Sequence, residues 1–137
     1  MELHRYKDRA TQMQALADLT VAGLAVALSE KGCATLAVPG GTTPPPYFEA
    51  LTRSDIDWSK VTILLTDERF VPLTSDRSNA RLLKQHLLTG NVAKAKFIPY
   101  YRDDTTPDDL PDVLDPVLAQ YLPLDICVLG MGADMHT

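Results

Sequence analysis

Val61-Thr62-Ile63-Leu64-Leu65 runs apolar and β-branched without polar alternation, then breaks at Thr66-Asp67-Glu68-Arg69. A strand lacking a polar face is one covered by helices on both sides, the usual condition of a parallel sheet. Upstream, Ala34 to Val38 reads as a second short buried strand, broken by Pro39-Gly40-Gly41. Before it, Thr11 to Glu30 sets Met13, Leu16, Leu24 and Leu28 on one helical face, and Lys31-Gly32 supplies a cationic last turn and a terminal glycine. Between the two strands, Thr43 as N-cap and Pro44 as first helical residue predict a helix running through Phe48 and Leu51.

Downstream, Asp76-Arg77-Ser78-Asn79 leads into a helix carrying Leu82, Leu83, Leu87 and Leu88, ended by Gly90. Lys96-Phe97-Ile98 reads as a short strand and Leu124 to Leu129 as the last one. Val113 to Tyr121 reads as a helix in which Pro116 is tolerable only near the first turn. Strand and helix alternate throughout, so the expected architecture is an open, mainly parallel α/β sheet with helices on both faces.

With 137 residues, 45% hydrophobic and 23% charged, the chain is long enough for one domain with a real core. No apolar stretch is expected to approach the roughly 18 residues that span a bilayer. The mixed-charge start, Met1 to Arg9, lacks a signal core, and the expected location is cytoplasmic. Cys33 and Cys127 each adjoin or lie within a predicted strand and read as small core residues in a reducing compartment. The net charge of −5 is local, because the stretch from Arg102 to Asp115 is rich in Asp and reads as a solvated loop. Nothing resembles the basic stripe that nucleic-acid binding requires.

In open parallel sheets, ligands bind outside the carboxyl ends of the strands. Strands here end in Gly40-Gly41-Thr42-Thr43, in Asp67-Glu68-Arg69 and in Gly130-Met131-Gly132-Ala133-Asp134-Met135-His136, which parallel topology brings to one rim. The first loop has the features of an anion cradle: glycines that allow close backbone approach, two hydroxyls, and a following helix N-terminus. The absence of G-x-x-x-x-G-K-[ST] disfavours a nucleoside triphosphate, and no G-x-G-x-x-G opens a helix after the first strand. In the second loop, alternating side-chain directions prevent all three charges from facing a cleft. Asp67 is best placed for the rim, while Glu68 and Arg69 are expected to form a surface ion pair. In the third, Asp134 and His136 are candidates for acid, base or imidazole-orienting pair, histidine being the side chain suited to proton transfer near neutrality. His4 and His86 read as surface residues.

These motifs together resemble the 6-phosphogluconolactonase family, related to the glucosamine-6-phosphate isomerase/deaminase group. The resemblance rests on Pro39-Gly40-Gly41-Thr42-Thr43-Pro44, Asp57-Trp58-Ser59-Lys60-Val61, Asp67-Glu68-Arg69-Phe70-Val71-Pro72, Ser78-Asn79 and Leu129-Gly130-Met131-Gly132-x-Asp134-x-His136-Thr137. It covers nearly the whole chain in order, with one departure: Met135 stands where the family usually has glycine.

The resemblance implies a single, Rossmann-like α/β sugar-phosphate domain over residues 1–137, incomplete relative to the family and truncated at its C-terminal end. It implies hydrolysis of 6-phosphoglucono-1,5-lactone without metal or organic cofactor. Gly40, Gly41, Thr42, Thr43 and Arg69 would bind substrate, His136 would activate water, and Asp134 and Asp67 would assist. The implied partner is a small phosphorylated sugar lactone, with no nucleic acid or membrane; homo-oligomer formation stays open. Two alternatives remain at this point. One is an amino-sugar-phosphate isomerase/deaminase, against which Arg69 speaks, since that group characteristically has an aromatic after Asp-Glu. The other is a non-catalytic sugar-phosphate-binding domain. The isolated chain is expected to be an incomplete enzyme.

Overall fold

A computed structural model describes all 137 residues. Helix α1 spans Arg9–Lys31, its first turn capped by Asp8, whose carboxylate accepts from the Thr11 amide at 2.8 Å. It ends at Gly32, whose φ of 74° is the left-handed cap that glycine adopts without penalty. Strand β1 (Ala34–Val38), helix α2 (Pro45–Thr52), strand β2 (Val61–Leu65), helix α3 (Asn79–His86), strand β3 (Lys96–Phe97), helix α4 (Leu110–Leu118) and strand β4 (Ile126–Cys127) follow. Every strand pair is parallel and the order is β3-β2-β1-β4, with Leu36 beside Ile63 on one side and Ile126 on the other.

Alternation within the central strands sorts the core into two layers. Leu36, Val38, Ile63 and Leu65 pack with Leu24 of α1, Phe48 and Leu51 of α2 and Leu83 of α3. On the opposite face Ala37, Leu64 and Ile98 meet Val117 and Leu118 of α4, followed by Tyr121. Helices therefore cover both faces, which is why neither central strand shows a polar side. Each fully buried Leu or Ile contributes roughly 1.5–3 kcal/mol relative to exposure. The start of β4 is tied to β1 by Asp125, which accepts from the Thr35 amide at 2.8 Å and the Thr35 hydroxyl at 3.1 Å and pairs with Lys31 at 2.5 Å.

Several expectations need correction. Helix α2 begins after Pro44, which takes the cap position without a side-chain bond, so Thr43 is not its N-cap. Helix α4 begins at Leu110 with Pro111 in its first turn, leaving Pro116 inside the helix. There the ring removes a donor and crowds the preceding turn. Helix α3 ends at His86 with Leu87 as its cap, short of the expected Leu87 and Leu88, and Gly90 opens a separate 3-10 turn, Gly90–Lys94. β4 is shorter than the apolar run Leu124 to Leu129. Cys33 and Cys127 are exposed rather than core residues: one precedes β1 and the other lies on β4, at the edge of the sheet. Helix α1 is also long and apolar enough to cross a bilayer by length and composition, with a mean hydropathy of 1.2. This corrects the expectation that no apolar stretch is long enough: Arg9, Asp18, Glu30 and Lys31 and the hydroxyls among them interrupt the helix, yet its average stays apolar. Its Met13, Ala17, Thr20, Leu24 and Ala27 form a stripe buried within the fold.

Candidate active site

The chain leaves β1 toward β2 on one side, while β4 lies on the other, so the loops after β1 and β4 diverge. That divergence is the topological switch point where open α/β sheets hold their ligands. A cleft of about 430 Å³ opens there, lined by Gly40, Gly41, Thr42, Thr43, Thr66, Asp67, Gly130, Met131, Gly132 and His136, with Met13, Leu16, Tyr47 and Val128 also in its wall.

Tyr47 is 1% exposed, and its hydroxyl lies 3.0 Å from Thr20 Oγ1. Thr20 donates to the Leu16 carbonyl at 2.8 Å, so the Tyr47 hydroxyl donates to Thr20. Burial pushes the Tyr47 pKa up to about 12 despite the opposing pull of the Thr20 bond. This phenol stays neutral and serves as wall rather than base.

The glycine loop differs from a simple helix-end cradle. Pro44, Pro45 and Pro46 stand at the start of α2, so three successive main-chain donors are missing. The Phe48 amide is already bonded to the Pro44 carbonyl at 3.0 Å. An anion here would meet the amides of Gly41, Thr42 and Thr43, their two hydroxyls, and the field of α2 behind them. Gly41 has φ 91°, a conformation that favours glycine. Gly40 has a different reason for lacking a side chain: a Cβ there would fall on the side-chain amide of Asn79.

Asp67 reaches the cleft from the end of β2, an end secured by the Tyr100 hydroxyl donating to the Leu65 carbonyl at 2.5 Å. Thr66 Oγ1 donates to Asp67 Oδ1 at 3.3 Å, and Asn79 Nδ2 donates to the Asp67 carbonyl at 3.0 Å and to Oδ2 at 3.3 Å. Glu68 forms no ion pair with Arg69, contrary to expectation. Its carboxylate accepts the Arg69 amide and the amides of Asn79 and Ala80, each at 2.8 Å, because the unbonded N–H groups of α3 attract it more than an exposed guanidinium does. Arg69 instead donates from Nη1 to the Arg77 carbonyl at 2.9 Å, beside the cleft but outside its lining. Neither Glu68 nor Asn79 is among the site residues that the sequence alone points to. The Ser78-Asn79 pair opening an apolar helix is a visible signal, but the carboxylate it meets lies ten to twelve residues away.

His136 lines the cleft on a tight turn in which the Met135 amide donates to the Gly132 carbonyl at 2.9 Å and the Gly132 amide to the His136 carbonyl at 2.7 Å. Asp134 meets His136 through the main chain, Oδ1 accepting the His136 amide at 3.3 Å, and does not line the cleft. Met135 takes φ 64°, the left-handed region, with its side chain 81% exposed. No group of three or more His, Cys, Asp or Glu gathers where it could hold a metal ion.

Fold and cleft together define a doubly wound α/β protein with a cleft at its switch point, the place where open α/β sheets bind small molecules. The family of glucosamine-6-phosphate isomerases and 6-phosphogluconolactonases matches residues 7–137, and the chain belongs to that family. It is 44% identical over 136 residues to a 6-phosphogluconolactonase of Rhizobium meliloti, covering 98% of this chain and 59% of that protein. It is 40% identical to one from Pseudomonas putida, covering 100% of this chain and 57% of the relative. The crystal structure of a 6-phosphogluconolactonase from Shewanella baltica matches with a TM-score of 0.91 at 37% identity, over 96% of this chain and 57% of that one. A monomeric glucosamine-6-phosphate deaminase shares the fold, with a TM-score of 0.80 at 17% identity. The chain thus spans somewhat more than half the length of the relatives it matches.

Proposed function

We propose that residues 1–137 form a single α/β sugar-phosphate domain of a cytoplasmic 6-phosphogluconolactonase, hydrolysing 6-phosphoglucono-1,5-lactone to 6-phosphogluconate in the oxidative pentose phosphate pathway. The observation that carries this reading is the meeting of the glycine-threonine loop, Asp67 and His136 in one cleft, in a chain 44% identical to a lactonase.

The 6-phosphate rests on the Gly41–Thr43 amides and hydroxyls. His136 takes a proton from water as the water oxygen bonds to the lactone carbonyl carbon. The tetrahedral adduct then collapses, the bond from that carbon to the ring oxygen breaks, and His136 returns the proton to the departing oxygen. Asp67 orients the sugar hydroxyls at the rim. Asp134 holds the backbone turn that presents His136. Arg69 reaches the substrate's charge only by leaving the Arg77 carbonyl.

The test is acid release from freshly prepared lactone, against a no-enzyme control because the lactone opens spontaneously, using this chain extended to the length of its relatives. Acceleration over the control is the expected result. Turnover of glucosamine 6-phosphate with none of the lactone would overturn the assignment in favour of the isomerase chemistry.

A further inference from the structure

Resting on the lactonase reading, we propose that Asn79 is a positioning residue that clasps the glycine loop after β1 to Asp67 after β2, setting the spacing between the phosphate cradle and the catalytic rim. Asn79 is 3% exposed and outside the cleft lining, yet it touches two residues that line it. Its Nδ2 reaches both the carbonyl and the carboxylate of Asp67. Its amide plane occupies the space that a side chain at Gly40 would need. Its own main-chain N–H is fixed by Glu68 Oε1 at 2.8 Å, so the clasp is anchored to the start of α3. Gly40 carries no positive φ, so its glycine identity is required by Asn79 rather than by backbone conformation. Both Nδ2 bonds go to Asp67, so they orient the buried amide, and the face it turns to Gly40 follows from them.

Three variants test this in the extended protein. Asn79→Asp is nearly isosteric but replaces the donor with an acceptor facing the Asp67 carboxylate, with Glu68 the other acid at hand. Lactonase kcat/KM should fall roughly ten- to a hundredfold, the scale of a small misplacement. Activity relative to the parent should recover as pH falls, because the protonated introduced carboxyl regains a donor. Gly40→Ala should produce a similar loss by displacing the amide. Gly40→Ala combined with Asn79→Ala should be no worse than Asn79→Ala alone, since truncation makes room for the new methyl.

Additive losses, or a folded Asn79→Asp protein with the parent's kcat/KM and pH profile, overturn the clasp. A second readout needs no substrate: the backbone ¹⁵N order parameters of Gly40 to Thr43 should fall in Asn79→Ala while those of β2 stay at the parent's values. If the parent hydrolyses no lactone, the functional reading fails and the order parameters alone decide the clasp. Unchanged loop order parameters sink it.

Discussion

Glu68 Oε2 accepts the Ala80 amide at 2.8 Å, so a carboxylate at the end of β2 closes the N-terminus of α3 from outside the helix. Ser78 Oγ accepts the Arg81 amide at 3.1 Å, which leaves the first turn of α3 capped from two directions. Glu68→Ala leaves the buried amides of Asn79 and Ala80 without acceptors. It should lower stability by about 1–3 kcal/mol, the range for orphaned buried donors. Glu68→Gln retains one acceptor and should lose less. Urea denaturation checks both, and an unchanged midpoint for Glu68→Ala would show that water replaces the carboxylate at no penalty.

Asp125 gives the fold a pH-dependent seam. Burial acts to raise its proton affinity, but the Lys31 ammonium and the amide and hydroxyl of Thr35 outweigh that and hold the carboxyl below the usual carboxylate value. A group with a depressed folded-state pKa contributes stability that is present above its unfolded value and lost as pH falls through the folded one. Asp125→Asn should therefore be less stable than the parent at neutral pH. The difference should start to shrink in the ordinary carboxylate range and close below it. The Lys31 bond to Asp125 raises the Lys31 pKa, so its share is present below the ordinary lysine range and is lost at higher pH. Thermal unfolding of both proteins across pH measures the gap, and a gap that widens in acid would contradict the linkage.

The sheet is legible in the sequence because Val61 to Leu65 and Ala34 to Val38 are buried on both faces, and double burial removes the polar alternation that an exposed strand would show. The three rim loops are legible because parallel topology leaves no other edge for them. What fails is whatever depends on partners distant in sequence. Glu68 looks like half of an ion pair until α3 folds beside it. Asn79 looks like one more helix-opening residue until Gly40 is seen against it. The sequence misses the start of α4, whose first turn Leu110-Pro111-Asp112-Val113 mixes apolar residues with a proline and an acid, and it overextends β4, whose apolar run is longer than its two ladder pairs with β1. Thr43 resembles a cap by residue type, but the run Pro44-Pro45-Pro46 sets the helix start at Pro45 and leaves the cap position to Pro44.

Met135 holds a left-handed conformation that costs a residue with a side chain about 1–2 kcal/mol. Its exposed side chain loses little packing on removal. Met135→Gly relieves the strain, offset by about 0.5–1 kcal/mol of extra chain entropy. The Gly132–His136 turn should be more populated, read as slower exchange of the Gly132 amide, and kcat in the extended protein should stay equal or rise. A tenfold fall in kcat would instead show that the thioether acts on the substrate.

His136→Ala is a clean excision, because Asp134 and Gly132 hold the His136 main chain, which alanine retains. The turn should survive while the imidazole vanishes. In the extended protein kcat should fall about 10²- to 10⁴-fold, with the affinity for 6-phosphogluconate changed little. Near-parental turnover would remove His136 from the mechanism.

Thr43→Val separates the phosphate cradle from the architecture of α2. Pro44 holds the cap position and no side chain caps this helix, so losing the Thr43 hydroxyl should leave the melting temperature within a degree or so of the parent's, as expected for an exposed substitution worth under about 0.5 kcal/mol. With Pro44, Pro45 and Pro46 unable to donate, an anion here is left with the Gly41 to Thr43 amides and two hydroxyls, of which Thr43 supplies one. A hydrogen bond to a charged group contributes about 1.5–3 kcal/mol. The affinity for 6-phosphogluconate should therefore weaken at least about tenfold, while affinity for unphosphorylated gluconate changes little. Calorimetry with the two ligands distinguishes the outcomes. Equal loss for both would place Thr43 against the sugar, and a fall in melting temperature with unchanged affinity would return it to the role of helix cap.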